Sequence, residues 1–106
     1  MQEAIEAYNQ GVVHVRSNQL AQALQAFNEA IQHDPGMAMA YNARGTVRAL
    51  TGSIAKGIAD CDEAIRLDPD EGRFYRTRGL ILRDLGETAR SEKDLAKAAE
   101  LGFEPQ

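Results

Sequence analysis

The chain has 106 residues, of which 43% are hydrophobic and 26% charged, a composition typical of one soluble globular domain, residues 1–106. Its formal net charge of −4 argues against a nucleic-acid-binding protein, whose affinity depends on clustered lysine and arginine. No apolar run approaches the ~20 residues that a membrane-spanning helix needs, no basic-then-apolar leader opens the chain, and the single cysteine cannot form an internal disulfide, so we expect a cytoplasmic protein without a membrane partner.

Apolar residues at helical spacing predict six helices and no sheet. In the first helix, for example, Ile5, Tyr8 and Val12 are separated by three and then four residues, as one helix face requires. The second helix should end before Asp34-Pro35, because proline lacks an amide donor and disfavours helical backbone in the preceding residue. The predicted helices cover residues of about 3–17, 20–32, 37–50, 54–67, 71–85 and 88–101. No stretch shows sustained alternation of polar and apolar residues, so no strand is expected.

The same small, turn-forming and proline residues recur every 34 residues along the chain. The residues in register are Gly11, Gly45 and Gly79; Asn18, Gly52 and Gly86; Ala30, Ala64 and Ala98; and Pro35 and Pro69. A fixed period of this length is typical of a solenoid, whose units are each too thin to bury a core alone. The sequence therefore predicts an all-α solenoid of three antiparallel helix pairs, with repeat units 4–37, 38–71 and 72–105.

Gly11, Gly45 and Gly79 fall in the middle of the first predicted helix of each pair. A glycine there costs about 1 kcal/mol relative to alanine, so three glycines in one phase need a compensating contact. We expect close approach of the partner helix, where any Cβ would clash. The in-phase alanines of the second helices are predicted to play the matching small-residue role.

These features resemble the tetratricopeptide repeat, a helix–turn–helix unit of 34 residues. Counted from Ala4, Ala38 and Gly72, the family pattern has an aromatic residue at unit position 4, small residues at 8, 20 and 27, an aromatic at 24 and proline at 32. The matching residues are Tyr41 and Tyr75; Gly11, Gly45, Gly79, Ala23, Gly57, Ala30, Ala64 and Ala98; Phe27; and Pro35 and Pro69. The resemblance covers the whole chain and implies a right-handed superhelix that binds other proteins.

The third unit departs from the pattern. Phe103 replaces the proline, and Thr88, Glu92 and Ala99 replace apolar residues that the earlier units carry at the same positions. Because the end of a solenoid must present a polar face to water, the array is predicted to stop here. Three arrangements remain open: a complete three-repeat protein, a further helix beyond the chain, or a second copy that covers the end.

A helical projection gives a candidate binding groove. Unit positions 2, 5, 9 and 12 form one stripe, about 100° from the stripe of positions 4, 8 and 11. If the first helices line the concave surface, as in such a solenoid, the groove residues are Ile5, Tyr8, Val12 and Val15; Met39, Asn42, Thr46 and Ala49; and Arg73, Arg76, Leu80 and Arg83. The groove would run from apolar to strongly basic.

The hypothesis from this polarity is a protein-interaction module that holds an extended peptide or a partner helix. Its apolar side chains would meet Tyr8 and Val12, and its acidic groups or terminal carboxylate would meet Arg73, Arg76 and Arg83, since guanidinium groups grip carboxylates bidentately. The alternative for the arginines is that they are solvated or paired with nearby acids such as Asp70 and Asp84. For the apolar stripe the alternative is packing against upstream residues or a second copy.

A different class of function also stays open, namely a structural module whose bare ends associate into dimers or stacked arrays. Within the resemblance, members that dock chaperone tails use a clamp of lysine, asparagine and arginine. The corresponding residues here are Tyr8, Val12, Ala43, Arg73 and Thr77. Only Arg73 keeps the expected charge, so a receptor for chaperone tails is not expected.

Catalytic or metal chemistry finds little support in the sequence. His14 and His33 lie on different predicted helices without metal-ligand spacing, so neither an enzyme nor a cofactor or metal site is expected. Cys61 stands where the unit's core takes an aromatic residue, which predicts a buried, unreactive thiol. The neighbouring acids Asp60, Asp62 and Glu63 are predicted to be solvated on the outer face of a helix.

Overall fold

The computed structural model describes residues 1–103, in which all regular secondary structure is helical. The helices are α1 (Gln2–Arg16), α2 (Leu20–His33), α3 (Ala38–Leu50), α4 (Ile54–Leu67), α5 (Gly72–Asp84) and α6 (Thr88–Glu100). Every boundary lies within one residue of the range expected from the sequence, and the predicted all-α fold of three helix pairs is confirmed. No helix in this part of the chain has both the length and the apolar character needed to cross a bilayer.

The six helices form three hairpins that stack in chain order. Packing is most extensive within the pairs α1–α2, α3–α4 and α5–α6, and the second helix of each pair also packs on the first helix of the next. The first helices α1, α3 and α5 lie side by side as neighbours. This arrangement places the candidate groove residues, all on first helices, along one elongated body of 37 × 26 × 24 Å.

The turns within each hairpin explain the periodic residue at unit position 15. Asn18, Gly52 and Gly86 follow α1, α3 and α5 with φ values of 58°, 94° and 90°. This left-handed backbone lets the next amide turn back onto the helix end, as in the bond of 2.8 Å from the Ser53 N–H to the Arg48 carbonyl. Glycine, or less often asparagine, adopts it at low cost.

The end of α6 is built differently from the ends of α2 and α4. Those two helices stop at Asp34-Pro35 and Asp68-Pro69, as predicted. After α6, Gly102 has a φ of 88°, and the Phe103 N–H donates to the Ala98 carbonyl at 2.9 Å. The turn folds Phe103 back onto α5, where a Cβ added to Gly72 would lie 2.8 Å from the Phe103 Cβ.

The mid-helix glycines are sites of close helix approach, as expected. A Cβ on Gly11 would lie 2.4 Å from the Phe27 ring, and one on Gly45 would lie 2.8 Å from the carbonyl oxygen of Gly57. The expected matching role of the alanines needs a correction, because these glycines meet Phe27 and Gly57 instead. Ala30 is fully buried but belongs to a cluster with Ala7 and Ala40. It therefore packs between α1 and the next unit.

Candidate protein-interaction surface

The basic end of the predicted groove lies on α5. The side chains of Arg73 and Arg83 are exposed and that of Arg76 is half-buried. Among residues 1–103, none of the three guanidinium groups has a carboxylate within 4 Å, so the pairs with Asp70 and Asp84 left open by the sequence do not form there. Three cations on one helix are thus presented without an internal counter-charge from this part of the chain.

Phe103 orders two of these arginines. The Cζ atoms of Arg73 and Arg76 lie 5.9 and 5.7 Å from the centroid of its ring, within the range of cation–π attraction. Arg73 also reaches across to α3, where its Nη1 lies 3.7 Å from the Met39 sulfur. These contacts leave the hydrogen-bonding capacity of both guanidinium groups largely unused.

Two pockets flank Arg76 and Leu80. The first, of about 330 Å³, lies between α3 and α5 and is lined by Thr46, Ala49, Leu50, Ile54, Arg76, Thr77, Leu80, Ile81 and Asp84. The second, of about 300 Å³, lies between α5 and α6 and is lined by Arg76, Leu80, Arg83, Leu95, Ala98 and Phe103. The structure thus brings the predicted residues Thr46, Arg76, Leu80 and Arg83 to the walls of two concave sites.

The apolar end of the predicted groove is more enclosed than its composition suggested. Tyr8, Val12 and Val15 pack against a buried cluster that includes Phe27 and Val47, and the rings of Tyr8 and Phe27 lie 5.7 Å apart. The sequence left open a contact with upstream residues or a second copy, but these side chains find partners within the chain. Of the apolar stripe, Ile5 alone is strongly exposed, at 46%.

The middle of the predicted groove carries a buried amide. Asn42 is 7% exposed, and its Oδ1 has no hydrogen-bond partner among residues 1–103. One turn later, the Thr46 hydroxyl donates to the Asn42 backbone carbonyl at 3.1 Å. The Thr46 hydroxyl is therefore bonded to its own helix, while the Asn42 side-chain oxygen is buried without a partner in this part of the chain.

An arginine–aspartate network runs between the helices, and sequence reasoning missed it. The Nε and Nη2 atoms of Arg44 donate to the two carboxylate oxygens of Asp60 at 3.0 and 2.8 Å, and Arg48 adds a third bond at 3.0 Å. The Arg44 Nη1 reaches back to Asn28 in the preceding unit at 3.0 Å. Asp60 is 4% exposed, so its predicted position on a solvated outer face is wrong.

The same arginine–aspartate arrangement is repeated one unit later. Arg78 donates to both oxygens of Asp94 at 2.8 Å and to Asp62 of the preceding unit at 3.0 Å. These bonds raise the pKa of Arg78, the bond to Asp94 most strongly. The available signal was the repeat itself, since Arg44 and Arg78, Asp60 and Asp94, and Asn28 and Asp62 are each 34 residues apart. Of the other acids predicted to be solvated, Asp62 keeps a side chain that is 57% exposed, and Glu63 pairs with Arg66 at the surface.

Cys61 is fully buried, as expected for its place in the core. Burial, with the negative charges of Asp60 and Asp62, raises the pKa of its thiol to about 12. The nucleophilic thiolate is therefore scarce at neutral pH. Within the described residues no three His, Cys, Asp or Glu side chains are grouped as metal ligands, and the His14 Nδ1 lies 2.8 Å from the Gln19 side-chain oxygen.

Comparisons with known proteins identify the repeat. A model of the tetratricopeptide repeat matches residues 8–72, which is more than half of the chain. The chain therefore belongs to the tetratricopeptide repeat family, as its residue pattern predicted. A comparison with curated protein sequences found no match.

Solved structures share the fold over nearly the whole chain. The TPR2B domain of yeast Sti1, solved as a complex with pHsp70, has 28% identity and a TM-score of 0.91, with 95% of this chain and 81% of that chain covered. The first TPR of Spaghetti (RPAP3), bound to the HSP90 peptide SRMEEVD, has 19% identity and a TM-score of 0.91, with 98% and 82% covered. The Arabidopsis OM64 TPR domain has 20% identity and a TM-score of 0.91, with 96% and 84% covered.

Proposed function

We propose that this chain is a protein-interaction module that binds a peptide or a partner helix along its first helices, with acidic or carboxylate groups of the ligand held at the α5 end. The observation that carries the proposal is the set of three guanidinium groups, on Arg73, Arg76 and Arg83, without a carboxylate within 4 Å among residues 1–103. Arginine is suited to this role because its planar fork of donors matches a carboxylate. Membership of a repeat family whose yeast Sti1 representative was solved in a complex supports a binding role.

The ligand chemistry differs from that of a lysine–asparagine clamp for chaperone tails. Tyr8, Val12 and Ala43 stand at three of the clamp positions, and all three pack against the buried cluster around Phe27. They have no charge to offer a carboxylate. The anion-binding function is therefore assigned to α5 alone, and the rest of the groove contributes apolar and amide contacts.

The proposal places the protein in the cytoplasm and gives it no catalytic role. A cytoplasmic setting is supported by the single cysteine, Cys61, which is a buried free thiol. A non-catalytic role is consistent with the Cys61 thiol, whose pKa of about 12 leaves little nucleophilic thiolate at neutral pH.

The proposal is tested by selection from a displayed peptide library, followed by affinity measurement on the enriched peptides. The test variant is Arg73→Glu with Arg76→Glu, and the matched control is Arg90→Glu with Lys93→Glu. The control pair makes the same change of charge at exposed residues of α6 that line a different pocket, with Arg78 and Leu82. Circular dichroism first checks that both variants keep the helicity of the wild type.

We expect enriched peptides to be acidic, to lose at least tenfold in affinity with the α5 variant, and to bind the control as they bind the wild type. Higher salt should weaken the wild-type complex, because exposed charges are screened. Equal binding by both variants would place the site away from α5, and a selection that enriches nothing would contradict a peptide-binding function.

A second candidate function is self-association through the ends of the array. The observation that favours it is Val13, which is 58% exposed, whereas Val47 and Ile81 at the same unit position are 0% and 7% exposed. In those units the residue packs towards the preceding repeat, so α1 presents an open stacking face. Glu6 weakens this case, because it replaces the buried Ala40 and Phe74 on that face.

A further inference from the structure

The pocket between α5 and α6 corresponds to a surface that is covered in the first unit. Its residues Arg76, Leu80, Arg83 and Leu95 stand 68 residues, or two repeats, after Tyr8, Val12, Val15 and Phe27. In the first unit those residues pack together with Val47 of the following repeat. Among residues 1–103 no helix follows α6, so the equivalent surface of the third unit is left as an open pocket of about 300 Å³.

The chemistry of this surface changes at the last unit in a specific way. Two of its apolar residues, Tyr8 and Val15, are replaced by Arg76 and Arg83. The floor stays apolar, with Leu80, Leu95, Ala98 and Phe103 contributing to the lining. An apolar floor beside two arginines without carboxylate partners in the described chain fits a ligand that combines a large apolar side chain with an adjacent negative charge.

A second copy of the chain fits this surface less well than an acidic peptide. In this chain an arginine of each later unit binds an acceptor of the unit before it, since Arg44 binds Asn28 and Arg78 binds Asp62. At the end of this array Ala96 stands in the acceptor's place, and α1 of another copy offers Gln10 in place of the arginine. The network that joins successive repeats cannot continue across such a contact.

Building on the proposed function, we infer that this pocket is an anchor site for one apolar side chain of the bound peptide, with the carboxylate of a neighbouring ligand residue held by Arg76 and Arg83. Phe103 is a positioning residue for this site. Its ring forms part of the pocket wall and attracts the guanidinium of Arg76 at 5.7 Å, which keeps that group at the rim. A pocket of about 300 Å³ is at the small end of ligand sites, so it has room for a large apolar side chain but not for a whole helix face.

The inference is tested with three fluorescein-labelled peptides that share Gly-Ser flanks and differ in their centre. The centres are Glu-Glu-Leu-Glu-Glu, Glu-Glu-Ala-Glu-Glu and Gln-Gln-Leu-Gln-Gln. Fluorescence anisotropy gives their affinities for the wild type, for Arg83→Gln, and for Arg90→Gln as a control on α6. Arg83 is exposed, so its replacement does not endanger the fold.

For the wild type we expect the acidic leucine peptide to bind about tenfold more tightly than the acidic alanine peptide, because leucine buries more apolar surface. Arg83→Gln should reduce the advantage of the acidic leucine peptide over the glutamine one by several-fold and keep the preference for leucine over alanine. Arg90→Gln should behave as the wild type. The variant Phe103→Leu, which keeps an apolar residue against Gly72, should also reduce the preference for acidic flanks.

Several results would overturn the inference. In one, the wild type binds the acidic leucine and acidic alanine peptides with equal affinity, and the variant Arg73→Glu with Arg76→Glu binds neither. That pair of results would rule out the anchor site and leave the groove proposal standing. No binding by any of the three peptides would also remove the anchor site, while the library selection decides the groove independently. The further variant Glu104→Gln removes the acidic residue that follows Phe103 in the sequence, and peptide binding seen only in that variant would indicate that the chain's own carboxylate competes for the site. If light scattering gives the wild type a molar mass above that of the monomer, and Arg83→Gln restores the monomer value, the occupant of the pocket is a second copy of the chain.

Discussion

At the scale of single residues, the aspartates of the network have a structural role that their sequence neighbourhood conceals. Asp60 accepts hydrogen bonds from both Arg44 and Arg48, whose side chains are 16% and 24% exposed. A buried carboxylate is tolerated when such partners compensate its lost hydration. Because Arg44 also binds Asn28, one carboxylate joins α3 to α4 and, through the arginine, to the preceding unit.

Replacing this carboxylate should be far more damaging than replacing its exposed neighbour. Asp60→Ala keeps the Cβ that packs near Gly45 but leaves two partly buried guanidinium groups without their partner, so we expect a loss of about 3 kcal/mol in the free energy of unfolding. Asp62→Ala removes a carboxylate whose side chain is 57% exposed and should cost about 1 kcal/mol or less. Urea denaturation followed by circular dichroism measures both, and similar losses for the two variants would contradict the assigned role.

At the scale of helices, the distance between α3 and α4 is set by small residues on both sides of the contact. In the middle unit the approach is reciprocal, since a Cβ on Gly45 would lie 2.8 Å from the Gly57 carbonyl oxygen and a Cβ on Gly57 would lie 2.7 Å from that of Gly45. Backbone meets backbone here, so neither helix can adjust a side-chain rotamer to make room. In the first unit Gly11 instead faces the ring of Phe27, which fills the same space.

Gly45→Leu should therefore overpack the α3–α4 contact and lower the free energy of unfolding by about 1–3 kcal/mol, even though leucine is the better helix former. The matched control is Gly36→Leu, in the turn between α2 and α3. A Cβ there meets no atom closer than 3.5 Å, and the φ of Gly36 is not positive. The control should change stability by roughly 0.5 kcal/mol or less. Thermal unfolding is the measurement, and an unchanged midpoint for Gly45→Leu would refute the packing scheme.

At the scale of the whole molecule, the two ends of the array differ in charge and in polarity. The units 4–37, 38–71 and 72–105 contain 1, 4 and 7 basic residues against 3, 6 and 6 acidic ones. The excess of positive charge is confined to the last unit, so the acidic ligand that we propose would bind at this end and in one direction. The hydrogen bonds between units also end there, because Ala96 stands at the position where Asn28 and Asp62 accept a bond from the arginine of the next unit.

Within residues 1–103, Gln10 and Ala96 stand where the polar contacts between successive repeats would be made, so we expect this chain of 11.6 kDa to be a monomer. Light scattering behind size-exclusion chromatography, over a hundredfold range of protein concentration, measures the molar mass. A mass that doubles with concentration, and returns to the monomer value on Val13→Glu, would establish association through α1 and favour the self-association function. Asn9→Glu, at a polar exposed residue of the same helix, is the control.

The sequence by itself determined the helices, their ends and the repeat. These follow from signals that act within a few residues. The signals are the prolines after α2 and α4, the asparagine or glycine after α1, α3 and α5, and the apolar spacing along each helix. The tertiary structure decided the partners of the charged and apolar side chains. Asp60 looked solvated because its partner Arg44 is 16 residues away on another helix, and Tyr8 looked exposed because Val47 belongs to the next repeat. Contacts of this kind depend on how helices cross and stack, which a single helical projection does not contain.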